Sequence, residues 1–130
     1  MNIVPVRLEA TDGELIAVAG DDGEGSSTLV RLALPQRLHQ VKAWLGKTAL
    51  LGIRPECITL GGHGPTRISA QVEMIEPTGA ETMAVLTFAG ADIVARMSAM
   101  SRPPVGTAAE FSVDLTKSCL FDAATGQRFA

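Results

Sequence analysis

Gly46-Lys47-Thr48 is the tripeptide that closes a phosphate-binding loop of the form G-x-x-x-x-G-K-[ST], in which glycine-rich backbone amides cradle phosphates and the lysine reaches them. The position for the first glycine holds Val41, residues 42 to 45 read Lys-Ala-Trp-Leu, and Gly52 and Pro55 follow where a helix is needed. Without a cradle or a helix N-terminus, nothing converges on a phosphate, so the tripeptide predicts no nucleotide site. Gly20 to Gly25 is glycine-rich as well, but Asp21, Asp22 and Glu24 would repel a phosphate. That segment also lacks the D-x-[DN]-x-[DN]-G loop and distant Glu of a calcium site, and it reads as a solvated hairpin.

Nucleophilic catalysis needs a Ser or Cys beside a His that a carboxylate orients. The chain has two histidines, His39 and His63, both in polar loop segments, and two cysteines, Cys57 and Cys119, that form no C-x-x-C pair. Their spacing matches no zinc pattern and is too sparse for a disulfide framework, so the cysteines are expected to be reduced thiols. Glu76 and Glu81 flank a turn at Pro77-Thr78-Gly79 and could approach each other for acid and base work, although turn carboxylates ordinarily cap or face solvent. The residues therefore predict no catalytic group, no metal site and no cofactor.

Composition narrows the partners. Eleven Lys and Arg against fourteen Asp and Glu give a formal charge of −3, with four Phe, one Trp and no Tyr. An oligonucleotide-binding surface wants a basic groove with stacking aromatics, so charge and composition argue against the alternative of an oligonucleotide-binding OB domain, and no nucleic-acid partner is expected. No stretch approaches the roughly 20 apolar residues that cross a bilayer, and no N-terminal run has the pattern of a cleaved leader. A chain of 130 residues suits one compact unit.

The elements that must hold these residues read as short strands. Val-, Ile- and Leu-rich stretches alternate with Gly-containing turns, giving expected strands at 3–9, 14–19, 28–34, 48–53, 68–75, 82–88, 92–97, 110–115 and 119–122. Alternation at 70–76 places Ala70, Val72 and Met74 on one face and Gln71, Glu73 and Ile75 on the other. Leu38, Val41 and Leu45 after Pro35 predict one short helix over Gln36 to Leu45. Arg102-Pro103-Pro104 and Gly106 make 98–107 a surface connection. Glycines and Pro65 at 61–66 predict a division into two small β lobes of a single 1–130 domain. No internal sequence repeat stands out.

Leu51-Gly52-Ile53-Arg54-Pro55-Glu56 resembles the Gly-Ile-Arg-Pro-Glu signature of the accessory domain in ATPases of carbohydrate ABC importers, the maltose and glycerol-phosphate type. Val72-Glu73-Met74-Ile75-Glu76-Pro77-Thr78-Gly79-Ala80-Glu81-Thr82 is similar to that family's Val-Glu-x-x-Glu-x-x-Gly-x-Glu-Thr element. Leu120-Phe121-Asp122-Ala123-Ala124-Thr125-Gly126-Gln127-Arg128 resembles its closing Leu-Phe-Asp-x-x-Thr-Gly-x-Arg, and Met1-Asn2-Ile3-Val4-Pro5 its opening junction.

The resemblance implies an all-β fold of OB-like barrels, the transport-associated OB or TOBE domain, with ATP hydrolysis left to an ATPase domain that this sequence lacks. It implies a regulatory role in subunit association. The partners would be its own ATPase domain, a second ATPase subunit, indirectly the permease, and a regulatory protein or small ligand. The location would be cytoplasmic, peripheral at the inner face of the membrane. A small-ligand sensor for an anion or sugar is the rival reading, with Arg54, Arg67, Arg96 and Arg102 available to an anion. Contact residues expected from the matched motifs are Arg54, Glu56, Glu76, Gly79 and Glu81. Pro55 biases Arg54 to extended backbone and ends donation, which holds both charged neighbours at a strand end.

Overall fold

The computed structural model describes residues 1–130 except 21, 24, 25, 28, 39, 40, 62, 63 and 65, so His39, His63, Asp21 and Glu24 lie outside the described residues. The chain opens with β1 (Asn2–Thr11) and β2 (Glu14–Ala19), then a two-residue pair β3 (Asp22–Gly23) and β4 (Ser26–Ser27), then β5 (Val30–Ala33) and β6 (Thr48–Ile53). It continues with β7 (Ile58–Leu60), β8 (Arg67–Pro77), β9 (Glu81–Phe88), β10 (Ala91–Ser98), β11 (Ala108–Val113) and β12 (Cys119–Asp122). Two five-stranded antiparallel sheets result, ordered β12-β6-β1-β2-β5 and β10-β9-β8-β11-β7. Each is a small OB-like barrel wall, and their inward side chains form one apolar cluster running from Val4 through Leu51 to Phe111 and Leu120.

Alternation decides which faces meet. In β9, Thr82, Ala84, Leu86 and Phe88 are buried while the residues between them are half-exposed, the period of two that a one-sided strand requires. In β1, Asn2, Val4, Val6 and Leu8 point inward. Pro5 is tolerated because β2 begins its pairing at Val6, which leaves Pro5 with β6 alone beside it.

The two lobes exchange strands. β7 follows β6 in the chain but joins the second sheet beside β11, and β12 follows β11 but joins the first sheet beside β6. Both crossings use one device: an extended residue, a single 3₁₀ turn and a new strand, at Arg54 with Pro55–Cys57 and at Asp114 with Leu115–Lys117. The expected division at 61–66 therefore does not separate the sheets, because each barrel borrows a strand from beyond that point. The two crossings share a repeated geometry that their sequences conceal.

Two further expectations are corrected. Over Gln36–Leu45 the described residues form two 3₁₀ turns, Gln36–Leu38 and Lys42–Trp44, in place of a helix; Leu38 and Val41 are nonetheless buried as their spacing suggests. In β8 the register slips by one between Val72 and Met74, so Glu73 is an extra residue opposite Val85 and Leu86 of β9. The bulge reverses the faces beyond it: Met74 is 54% exposed and Ile75 packs on the core. Strand β7 had no counterpart in the sequence reading, whereas the antiparallel β3–β4 pair falls on the segment read as a hairpin.

Cys57 and Cys119 are free and buried. Among the described residues no helix is long and apolar enough to cross a membrane.

Candidate functional site

The two crossings lie side by side. The Asp114 N–H donates to the Cys57 carbonyl at 2.9 Å, tying one 3₁₀ turn to the other. Asp114 also caps its own turn, its Oδ1 accepting from the Thr116 N–H at 3.0 Å and from the Thr116 hydroxyl at 2.5 Å. These two bonds hold its carboxyl below the usual range. Arg37, in the turn after β5, reaches across and donates Nε to the Thr116 carbonyl at 2.8 Å and a second guanidinium N–H to the Ser118 carbonyl.

A cleft of about 630 Å³ opens where the crossings meet. Its floor is the buried Cys57, Val113 and Leu115. Ser112 is also buried there, its hydroxyl donating to the Gly61 carbonyl at 2.6 Å and accepting from the Gly64 N–H at 3.1 Å. Ala33 and Pro35, from the end of β5, also line it, so both lobes contribute. Glu56, Thr59, Asp114 and Lys117 stand at the rim. Burial, with Asp114 and Glu56 nearby, pushes the Cys57 thiol up, which makes it a poor nucleophile.

Of the five expected contact residues, two converge. Glu56 and Glu81 both face the Arg96 guanidinium of β10, at 4.0 Å and 3.3 Å. A hydrogen bond from its own backbone N–H, with Arg96, Arg54 and Lys117 adding, lowers the Glu56 carboxyl against the opposing effect of partial burial. Arg54 is exposed and extended at φ −72°, ψ 143°, as the following Pro55 demands. Gly79 adopts φ +94° in the β8–β9 turn, where the Thr78 N–H donates to the Glu81 carbonyl at 2.8 Å. No atom stands within 4 Å of a Cβ placed there, so conformation alone calls for glycine. Glu76, opposite Met83, is exposed and stands outside the Arg96 ion pairs.

The four arginines weighed for an anion are dispersed: Arg67 pairs with Glu110 at 3.6 Å, Arg96 with the two glutamates, and Arg102 donates to the Thr82 hydroxyl and the Ala99 carbonyl. Sequence reasoning missed Arg37, Asp114, Lys117 and Thr59, because nothing local marks residues that meet only across a strand exchange. The one available signal was the second strand-turn-strand at 113–119, which no repeat search reveals when Arg54-Pro55-Glu56 is matched by Asp114-Leu115-Thr116.

At Gly46-Lys47-Thr48 the amides are already engaged. The Gly46 N–H donates to the Leu8 carbonyl at 2.7 Å, the Lys47 N–H to the Trp44 carbonyl at 3.0 Å, and Thr48 begins β6 opposite Arg7. The segment is a strand entry whose donors are used within the first barrel.

The Arg54-Pro55-Glu56 crossing, the bulged β8–β9 hairpin and the returning β12 as far as Phe121 fall inside residues 51–121, the part matched by the model of the TOBE domain family. The chain belongs to that family. This TOBE chain is similar to the sn-glycerol-3-phosphate import ATP-binding protein UgpC of Chromobacterium violaceum, at 33% identity over 128 residues, covering 98% of this chain and 31% of the relative. It is also similar to the uncharacterized ABC transporter ATP-binding protein y4oS of Sinorhizobium fredii, at 34% identity, covering 100% of this chain and 31% of the relative. The chain thus spans less than a third of the length of these curated relatives. Among solved structures it resembles the cytoplasmic molybdate-binding protein ModG in its molybdate-bound form, with a TM-score of 0.57 at 13% identity over 92% of this chain and 94% of that one. That likeness concerns the fold.

Proposed function

We propose that this chain is the accessory and regulatory domain of a carbohydrate-type ABC importer's ATP-binding subunit, acting in subunit association and control of transport, with no hydrolytic chemistry of its own. The observation that carries this reading is the alignment of 98% of the chain with 31% of an import ATP-binding protein, at 33% identity. The engaged amides at Gly46 and Lys47 support it by removing the one segment that resembled a phosphate loop.

On this reading the partners are the subunit's ATPase domain and a second copy of the subunit, with the permease reached through them, at the cytoplasmic face of the membrane. The exposed Arg54 and the Glu56–Arg96–Glu81 group are the contact surface, with Glu76 and Gly79 shaping the hairpin beside it. Rim charges of this kind set association rate and register more than bulk affinity. Which sugar is carried belongs to other components of such an importer.

The test is made in the full-length ATP-binding subunit that this reading implies. Deleting the segment is expected to weaken subunit dimerisation or to release transport from regulation while ATP binding persists. Dimerisation, transport and regulation that all remain unchanged would refute the assignment. A milder probe is Arg96→Ala, which leaves Glu56 and Glu81 without their shared cation and is expected to alter the salt dependence of dimerisation.

A further inference from the structure

We infer that the cleft between the two strand crossings is a binding site for a small uncharged polyhydroxy compound, of monosaccharide to disaccharide size, whose occupation bridges the two lobes. This goes beyond the accessory role and holds whether or not the chain contributes to subunit association.

Size comes first. A cleft of about 630 Å³ lies within the roughly 300–1,000 Å³ typical of small-molecule sites. It is also the place where both lobes meet: Ala33 and Pro35 belong to the first, Thr59 and Val113 to the second, and the crossing turns between them supply the remainder.

Chemistry then selects the ligand. The floor of Val113, Leu115 and Cys57 offers an apolar surface for the C–H face of a sugar ring, and Pro35 offers the same from the side. Among the described residues the rim carries two carboxylates, Glu56 and Asp114, against one ammonium, Lys117. That balance disfavours an oxyanion or a phosphate, which would meet more negative than positive charge above an apolar floor. An ionised carboxylate only accepts hydrogen bonds, so Glu56, 4.0 Å from Arg96, and Asp114, whose Oδ1 already accepts the two Thr116 bonds, offer their remaining lone pairs to a ligand rich in hydroxyl donors, and Lys117 and Thr59 donate to that ligand's oxygens. Among the described residues no arginine lines the cleft; Arg37 spends two of its donors on the Thr116 and Ser118 carbonyls.

The experiment uses this chain labelled with nitrogen-15, titrated separately with glycerol, D-glucose, maltose, inorganic phosphate and molybdate. Neutral sugars are expected to shift the amides of Ala33, Cys57, Thr59 and residues 113–117 saturably, with a dissociation constant on the order of 1 mM. Two variants that fill the cleft from different lobes, Thr59→Arg and Ala33→Arg, change exposed positions and are each expected to weaken binding at least about tenfold. Using both keeps the test decisive if one variant folds poorly. The inference is overturned if no neutral sugar shifts these amides up to its solubility, if phosphate or molybdate shifts them and sugars do not, or if sugar shifts persist unchanged in both variants. None of these outcomes bears on dimerisation, so a failure here is distinguishable from a failure of the accessory role.

Discussion

The first lobe is closed from within the chain that follows its edge strand, whereas the second is tied from the far end of the sequence. Arg37, just past β5, bonds the carbonyls of Thr116 and Ser118 that precede β12, so one guanidinium spans the two edges of the first sheet. In the second sheet the buried Asn2 of β1 uses its side-chain amide as a peptide would. Its Nδ2 donates to the Val94 carbonyl at 2.8 Å and its Oδ1 accepts from the Val94 N–H at 2.7 Å, on the edge strand β10. An unpaired sheet edge is a liability that a protein must cover. Here each cover comes from outside the edge it protects, and each barrel also borrows a strand from the other. The lobes are alike in plan, yet neither is self-sufficient.

The largest expected effect is on the borrowed strands. Leu120→Ala in β12 and Ile58→Ala in β7 remove fully buried side chains and are each expected to cost about 2–5 kcal/mol. Urea unfolding followed by Trp44 fluorescence for the first lobe and by β9 amide resonances for the second should give one midpoint. Two midpoints would break the comparison by showing that the lobes unfold separately.

Next comes the amide tie. Asn2→Leu leaves a backbone donor and acceptor of Val94 unpartnered and is expected to cost about 1–3 kcal/mol, with faster hydrogen exchange at the Val94 N–H. Arg37→Met should cost less, because Arg37 and Thr116 are exposed, so water can take over part of that tie, whereas Asn2 is buried; an equal or larger loss would reverse the ranking of the two ties.

Gly52→Ala tests the motif glycine on β6. A Cβ there would stand 2.6 Å from Met1 Sδ and 2.8 Å from Phe121 Cε2. The thioether can swing away, but Phe121 is fixed in β12 opposite Leu50, so overpacking of about 1–3 kcal/mol is expected at the seam where the borrowed strand docks. A thermal melt unchanged by the substitution would show that the ring is free to move.

The two-residue hairpins sharpen the contrast with opposite signs. The first lobe turns at Asp12-Gly13, with Asp12 at φ +51°, while the second turns at Ala89-Gly90, with Ala89 at φ +50°. A short polar side chain tolerates the left-handed region better than alanine does, so Ala89→Asn is expected to gain up to about 1 kcal/mol in chemical denaturation and Asp12→Ala to lose a similar amount.

The smallest effect is with pH. The Asp114 carboxyl is lowered in the folded chain, so its contribution is complete above the unfolded carboxylate range of about 3.9–4.3 and is lost as pH falls through the lower folded value. Acid titration of the denaturation midpoint should show Asp114→Asn less acid-sensitive than the parent, and an identical slope would refute the cap.

The sequence by itself determined where most strands lie. Alternation and turn chemistry are local, so 14–19, 48–53 and 119–122 are bounded as the pattern of apolar residues and glycines requires. It also carried the family in Leu51-Gly52-Ile53-Arg54-Pro55-Glu56, a string whose Gly52 the packing of Met1 and Phe121 explains. Tertiary structure alone decided the rest. A one-residue bulge at Glu73 turned Met74 outward, because a strand's register is set by its partner and not by its own alternation. The pairing of β7 with β11 and of β12 with β6 joins residues some fifty to seventy apart, and no local preference encodes such a choice. The convergence of Glu56 and Glu81 on Arg96, and the cleft with Asp114 and Lys117 at its rim, exist only because those crossings bring distant turns into contact.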